Sequence, residues 1–98
     1  MKNNYKIDAN HIRRDLLSYI KRVYGKTSPE DISIDSPLLQ LGIIDSLSLM
    51  SLILYIEQKY HLDFYTIDVS RDHFTDIKTI SKLICENIHM NHQVYHEN

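Results

Sequence analysis

The stretch LGIIDSLSLMSLILYIEQKY, residues 41–60, contains more large apolar side chains than one buried helix face can hold. On a helical wheel of about 100° per residue, these side chains separate into two stripes. The stripe that we predict to face the core consists of Leu49, Leu52, Ile53, Ile56 and Tyr60. The other, on nearly the opposite side and called here the outward stripe, consists of Leu47, Met50 and Leu54.

The outward stripe needs an explanation because large apolar side chains in line on a surface are unfavourable unless something covers them. One explanation is a partner protein that docks on the stripe. The other is that Leu47 lies under the preceding loop and Leu54 under the third helix. The two explanations can each hold in part.

An Asp–Ser pair stands where this helix is predicted to begin. Asp45 is a natural N-cap, and capping alone would explain the pair. Ser46 then lies on the first turn, where unpaired backbone N–H groups and the helix dipole favour a negative charge. A phosphate bonded to the serine oxygen would be stabilised there. The outward stripe begins one residue later, at Leu47.

Apolar spacing of three and four residues predicts a first helix that begins at a capping Asn10 and stops at Gly25. Its apolar stripe consists of Ile12, Leu16, Tyr19, Ile20 and Val23. A long connection, residues 26–44, follows. We expect one short helical turn at Ser28-Pro29-Glu30. We also expect the apolar residues of the connection to pack across the core: Ile32, Ile34, Leu38, Leu39 and Leu41.

The C-terminal part predicts a short helix near Ser70–Phe74 and a last helix from Asp76 or Ile77. The apolar stripe of the last helix consists of Ile77, Ile80, Ile84 and Ile88. Residues 91–98 carry little pattern, and we expect them to fray. The sequence therefore predicts an all-α fold, a small bundle of three main helices plus a short fourth one, with a long loop between the first two. We expect one domain over 1–98, with its core at about 10–90.

Composition excludes several classes of function. A net charge of −2 gives no general attraction to nucleic acid or to anionic lipid. A single Cys85 excludes an internal disulfide and a cysteine-rich zinc site. No apolar run is long enough to cross a bilayer, and MKNNYKIDANHIRRD does not resemble a signal peptide. We therefore expect a cytoplasmic protein without membrane insertion.

Two sets of charged or titratable side chains could indicate other kinds of site. Arg13, Arg14, Lys21 and Arg22 form the outer face of the first helix, which is either simply solvated or a basic docking face. His89, His92 and His96 would share one side of a continuing helix, but with no well-placed carboxylate we predict no metal site. Nor does the sequence offer a Ser-His-Asp arrangement or a glycine-rich phosphate loop, so we predict no catalytic residue.

The residues LGIIDSLSLMSLILYIEQKY, with Asp45-Ser46-Leu47 at their head, resemble the acyl carrier and peptidyl carrier protein family. The likeness covers roughly residues 10–90 and includes the long loop before the second helix. DHFTDIKTISKLI resembles the family's Phe-x-Thr-Ile element before the last helix, with Asp76 in place of the usual Thr or Ser. Aspartate caps a helix equally well.

The resemblance implies a stand-alone carrier, not an enzyme. Ser46 would receive a covalent 4′-phosphopantetheine arm from coenzyme A through a Mg²⁺-dependent phosphopantetheinyl transferase. The arm's thiol would hold an acyl or aminoacyl group as a thioester. Asp45 would cap the helix beside this site, and Leu47, Met50 and Leu54 would dock partners. Those partners would be the transferase, a loading enzyme of the adenylation or acyl-ligase type, and downstream condensing, modifying or transferring enzymes, with no nucleic acid.

Two departures suggest the subtype. Fatty-acid carriers typically have an acidic second helix, whereas Ser48 and Ser51 stand here at positions that are often acidic. GIIDS also looks more like the lead-in of stand-alone aminoacyl or D-alanyl carriers. We therefore favour an aminoacyl, peptidyl or specialised-metabolite carrier. A fatty-acid or polyketide carrier is the alternative, and an unmodified helical interaction module is the second one.

Overall fold

A computed structural model describes residues 8–25, 29–64 and 69–97 of the chain, with side chains as far as residue 88. Within these residues the protein has three α-helices, α1 (Ala9–Tyr24), α2 (Ser46–Tyr60) and α3 (Ile77–Glu97). Single 3₁₀ turns lie at Pro29–Asp31 and Arg71–Phe74, and the described residues contain no strand. The all-α prediction is confirmed. The predicted short fourth helix is a 3₁₀ turn, so the described residues form three α-helices and not four.

The ends of α1 show why the helix occupies these residues. Asp8, not Asn10 as predicted, is the N-cap, because its carboxylate accepts a 2.9 Å hydrogen bond from the His11 N–H. Asn10 lies inside the first turn, where it cannot cap. The helix stops at Gly25 as predicted. A Cβ at Gly25 would lie 2.7 Å from the carbonyl oxygen of Lys21, so only glycine fits there without a shift.

One apolar core joins all three helices, the long loop and the second 3₁₀ turn. Its buried apolar residues are Ile12, Leu16, Ile20, Ile32, Leu38, Ile44, Leu49, Leu52, Ile56, Tyr60, Leu62, Phe74, Ile77, Ile80, Leu83 and Ile84. Val23, a member of the predicted apolar stripe of α1, is 40% exposed and lies in the last turn of the helix, beyond its last buried residue. Cys85 and Ile88 pack partly against the core.

The long loop is held against the start of α3 by backbone hydrogen bonds. The Leu38 N–H donates to the Thr75 carbonyl at 2.9 Å, and the Lys78 N–H donates to the Ile34 carbonyl at 3.1 Å. The packing prediction holds for the rest of the loop's apolar residues but is wrong for Leu41, which is 62% exposed. Leu41 lies in a tight turn next to Gly42, whose φ of 75° lets the chain bend outward.

α1 and α2 are antiparallel neighbours joined by an aromatic and acidic cluster. Asp15 of α1 accepts hydrogen bonds from the Tyr60 hydroxyl, from the Tyr55 hydroxyl at 3.2 Å and from Lys59 Nζ at 3.1 Å. The rings of Tyr19 and Tyr55 stack with centroids 3.7 Å apart. These contacts fix the position of α2, and with it the direction of its exposed side.

α3 begins where the sequence predicts. Asp76 caps it through a 2.8 Å hydrogen bond from the Thr79 N–H to its carboxylate, so aspartate serves the capping role at this position. The helix continues to Glu97, into the segment where we expected fraying. After Gly42 the sequence contains neither glycine nor proline, so neither of these two helix-breaking residues interrupts α3.

Candidate functional site

The site lies at the N-terminus of α2. Asp45 is the N-cap: its backbone is extended, and its Oδ1 accepts a 2.8 Å hydrogen bond from the Ser48 N–H. The Asp45 carbonyl accepts from the Leu49 N–H at 2.8 Å, which starts the helical ladder. The hydrogen bond from Ser48 holds the pKa of the Asp45 carboxyl below its usual value, so the cap is ionised at neutral pH.

Ser46 is the first helical residue and its side chain is exposed. The structure shows no hydrogen bond between its hydroxyl and another described residue. The Asp45 carboxylate accepts from the third N–H of the helix, Ser48, and also interacts with the Leu47 N–H, which leaves the Ser46 N–H at a position that receives no intrahelical bond. A nucleophilic oxygen therefore stands in the open beside a donor that favours an anion.

The C-terminal end of α1 holds this helix start in place. The Tyr24 hydroxyl donates a 3.3 Å hydrogen bond to the Ser48 carbonyl. Burial, the neighbouring Tyr19 and the Asp45 charge all raise the pKa of Tyr24, which keeps the hydroxyl protonated as a donor. The first turn of α2 is thus fixed from two sides, by its own cap and by α1.

The outward stripe is exposed in the folded chain. Leu47 is 80% exposed, Met50 59% and Leu54 55%. The alternative explanation, in which the loop covers Leu47 and α3 covers Leu54, is therefore wrong, because the antiparallel contact with α1 turns this side of α2 to solvent. The opposite stripe is buried as predicted, apart from Ile53, which is half-buried.

The model of one protein family, described as "Phosphopantetheine attachment site", matches residues 14–84, which is most of the chain. The chain belongs to this family. Comparisons with curated proteins and with solved structures gave no significant match. Members of this family are carrier domains, generally non-catalytic, that hold 4′-phosphopantetheine covalently and interact with phosphopantetheinyl transferases and biosynthetic enzymes. The resemblance to acyl and peptidyl carriers is thereby confirmed.

The residues at the head of α2 fit this group. A phosphodiester needs an accessible hydroxyl and a nearby N–H donor, and Ser46 with the first turn of the carrier's second helix offers both. Asp45 accepts its cap hydrogen bond from the Ser48 N–H and is itself exposed, so its carboxylate lies at the surface in the residue before Ser46. No side chain among the described residues forms a hydrogen bond with the Ser46 hydroxyl.

The outer side of the carrier's second helix has little negative charge. Between Asp45 and Tyr60 the only other acidic residue is Glu57. Its Oε2 accepts a 2.9 Å hydrogen bond from the Phe64 N–H, which ties it to the following loop. Each of these two carboxylates therefore accepts a hydrogen bond from a backbone N–H of the chain itself.

Sequence reasoning missed two residues that position the site. Tyr55 belongs to neither apolar stripe of α2, but its ring stacks on Tyr19 and its hydroxyl contacts Asp15. Tyr24 was not singled out, although it contacts the first turn of α2. The abundance of tyrosine was the available signal, but spacing along the chain does not reveal which helix a ring meets.

The remaining candidates give no second site. In the part of the chain that the structure describes, no group of three His, Cys, Asp or Glu side chains is placed to hold a metal ion. The side chains of His89, His92 and His96 lie outside the described ones. Among the described helices, none is both long enough and apolar enough to cross a membrane.

Proposed function

We propose that Ser46 is the attachment residue and that the chain delivers a tethered acyl or aminoacyl group between biosynthetic enzymes. One observation carries the proposal: an exposed serine begins a capped helix whose exposed apolar stripe starts at the next residue. Among the serines of α2, Ser48 is half-buried and Ser51 lies beyond the first turn. Ser46 alone among these three combines exposure with the helix N-terminus.

Each residue at the site has a distinct role in this proposal. In the reaction of the transferase, the Ser46 oxygen would form a bond to the phosphorus that carries the arm in coenzyme A, the pyrophosphate P–O bond would break, and adenosine 3′,5′-bisphosphate would leave while the hydroxyl proton passes to a base of the transferase. The Ser46 N–H at the start of the helix would stabilise the negative charge of the phosphodiester, and Asp45 keeps the first turn helical. When bound, the arm supplies a thiol that holds the cargo as a thioester. Tethering then keeps the cargo at a high effective concentration near each partner.

The outward stripe is the proposed docking surface for the transferase, the loading enzyme and the downstream enzymes. Leu47, Met50 and Leu54 present three large apolar side chains along two turns, a pattern that suits a shallow apolar groove on a partner. Because the contacts are apolar, docking should change little with salt. The proposal places the chain in the cytoplasm, where its partners would act on it.

Within the carrier family we favour an aminoacyl, peptidyl or specialised-metabolite carrier over a fatty-acid or polyketide carrier. The support is the charge of α2: between residues 45 and 60 only the cap Asp45 and Glu57 are acidic, and Glu57 is bonded to Phe64, so α2 offers little acidic surface to a basic partner. A carrier with this surface would select partners by shape and apolar contact rather than by charge.

The test is an intact mass after incubation with coenzyme A, Mg²⁺ and a broad-specificity phosphopantetheinyl transferase. We expect the native chain to gain one arm and Ser46→Ala to gain none, while circular dichroism shows both to be folded. Ser51→Ala is the matched control and should be modified like the native chain. A folded native chain that several transferases leave unmodified would favour the helical interaction module, whose binding through the basic face of α1 would weaken steeply with salt.

A further inference from the structure

The last residue of α1 is bonded to the turn of α2 that carries Ser46. Tyr24 ends α1, and its hydroxyl donates a 3.3 Å hydrogen bond to the Ser48 carbonyl. Among the described residues, no other hydrogen bond joins α1 to this turn. The Ser48 N–H in turn donates to the Asp45 carboxylate at 2.8 Å. Ser48 is therefore held at both of its backbone groups, on one side by the cap and on the other by α1.

Tyr24 is itself held in place by aromatic contacts. Its ring meets the Tyr19 ring edge to face, with the centroids 6.1 Å apart. Tyr19 stacks on Tyr55 of α2, and the guanidinium of Arg22 lies 5.5 Å from the Tyr19 centroid. The contacts thus run from Ser48 through α1 and back to α2 two turns further along. A side chain whose orientation is locked by packing holds its hydrogen-bond partner more precisely.

The contact restrains α2 without covering the attachment serine. Two residues along an α-helix are about 200° apart, so the Ser46 side chain points nearly opposite to that of Ser48. Ser46 is exposed, whereas Ser48, whose carbonyl meets Tyr24, is half-buried. A transferase can therefore reach the Ser46 oxygen while Tyr24 remains bonded to the helix.

A helix start benefits from such a restraint because terminal turns open at little cost in free energy. When the first turn opens, the Ser46 oxygen loses its fixed direction, and the Ser46 N–H loses its alignment with the helix dipole. Orientation of a reacting group strongly affects the rate of its reaction. We infer that Tyr24 is a positioning residue for the modification of Ser46, which acts through the Ser48 carbonyl. The inference rests on the proposed attachment of the arm at Ser46.

The test is a single-turnover measurement of arm transfer, with saturating coenzyme A and Mg²⁺ and a broad-specificity phosphopantetheinyl transferase in excess over the chain. Intact mass gives the rate. Varying the transferase concentration separates the limiting rate within the complex from the half-saturating concentration. We expect Tyr24→Phe to lower the limiting rate by about threefold to tenfold. The half-saturating concentration should stay within about twofold of the native value, because the outward stripe is unchanged.

Tyr60→Phe is the matched control. It also removes a tyrosine hydroxyl that joins α2 to α1, but at the far end of the helix, where Asp15 still accepts from Tyr55 and Lys59. The limiting rate of this variant should stay within about twofold of the native rate, and circular dichroism shows whether both variants are folded at the assay temperature. A native limiting rate in folded Tyr24→Phe, an equal loss in the two variants, or a change confined to the half-saturating concentration would overturn the inference.

Amide hydrogen exchange gives a readout that does not involve the transferase. The Leu49 N–H donates to the Asp45 carbonyl at 2.8 Å, so its exchange reports opening of the first turn. We expect this exchange to be several-fold faster in Tyr24→Phe than in Tyr60→Phe, and equal exchange in the two variants would contradict the positioning role. A native chain that gains no arm would overturn the proposed function and this inference with it. A modified native chain with an unaffected Tyr24→Phe would overturn the inference alone.

Discussion

The Tyr60 hydroxyl at the end of α2 donates a hydrogen bond to the Asp15 carboxylate of α1. At the other end of the helix pair, the Tyr24 hydroxyl of α1 donates to the Ser48 carbonyl of α2. These two contacts hold the helices antiparallel at both ends. α2 therefore has a fixed rotation, which leaves Ser46 and the outward stripe on the surface.

Asp15→Asn should destabilise the fold. The substitution removes the charge that accepts from Tyr55, Lys59 and Tyr60, and the Asp15 side chain is only 19% exposed. We expect the free energy of unfolding in urea to fall by about 1–2 kcal/mol. Asp35→Asn is the control, since it breaks an exposed pair with Lys78 and should cost at most about 0.5 kcal/mol. Equal losses of unfolding free energy in the two variants would show that the hydrogen bonds to Asp15 stabilise the fold no more than an exposed ion pair does.

The contribution of Asp15 should disappear in acid. Burial acts to raise the pKa of Asp15, but hydrogen bonds from Tyr60 and Lys59 outweigh it and hold the pKa below its usual value. The unfolded chain therefore takes up a proton first as pH falls, which favours unfolding. We expect the stability difference between native and Asp15→Asn chains to be constant above about pH 5 and to shrink below about pH 4. Urea unfolding between pH 2.5 and 7 measures this stability difference. A difference that grew as the pH fell would contradict the assigned direction of the Asp15 pKa shift.

The capping hydrogen bond of Asp45 can be tested separately from the charge of its carboxylate. Asparagine caps a helix as well as aspartate does, so Asp45→Asn should keep the melting temperature close to that of the native chain. Asp45→Ala removes the acceptor for the Ser48 N–H and should lower the melting temperature by a few degrees. Thermal unfolding by circular dichroism tests both. Equal melting temperatures for the two variants would mean that the side-chain cap does not stabilise α2.

Charge in the outward stripe should block docking and spare the fold. Leu47→Asp and Met50→Asp each place an exposed carboxylate in the proposed contact, so stability should change by less than about 0.5 kcal/mol. We expect the rate of modification by the transferase to fall at least tenfold. Ser18→Asp adds the same charge at an exposed position of α1 and should be modified at the native rate. Unfolding of either stripe variant would contradict the assignment of that residue to the surface.

The sequence was sufficient to predict the helices because each has its own periodic apolar stripe and its own stop or start signal. The two stripes of α2 could be separated on a wheel, and Leu52 and Leu47 indeed lie on the buried and exposed sides. The Asp45 cap followed from the local preference of aspartate for helix starts. These features depend on residues close together in the chain.

Features that depend on distant residues could not be predicted in this way. Asp15 meets Tyr60 only after α1 and α2 pack, and nothing in the spacing of either helix identifies the pair. Leu41 has the side chain of a core residue, but the turn at Gly42 carries it outward. At α1 both Asp8 and Asn10 are residues of a capping type, and although Asn10 is nearer to the first apolar residue of the stripe, Asp8 is the one that caps the helix.

The most direct test of the proposed carrier role is to locate the arm within the modified chain. Trypsin should release residues 27–59 as one peptide, which contains Ser46, Ser48 and Ser51 as well as serines of the long loop. Fragmentation of this peptide by electron transfer should place one phosphopantetheine on Ser46. A fully modified chain with the arm on Ser48, Ser51 or a loop serine would contradict the assignment of Ser46 as the attachment residue.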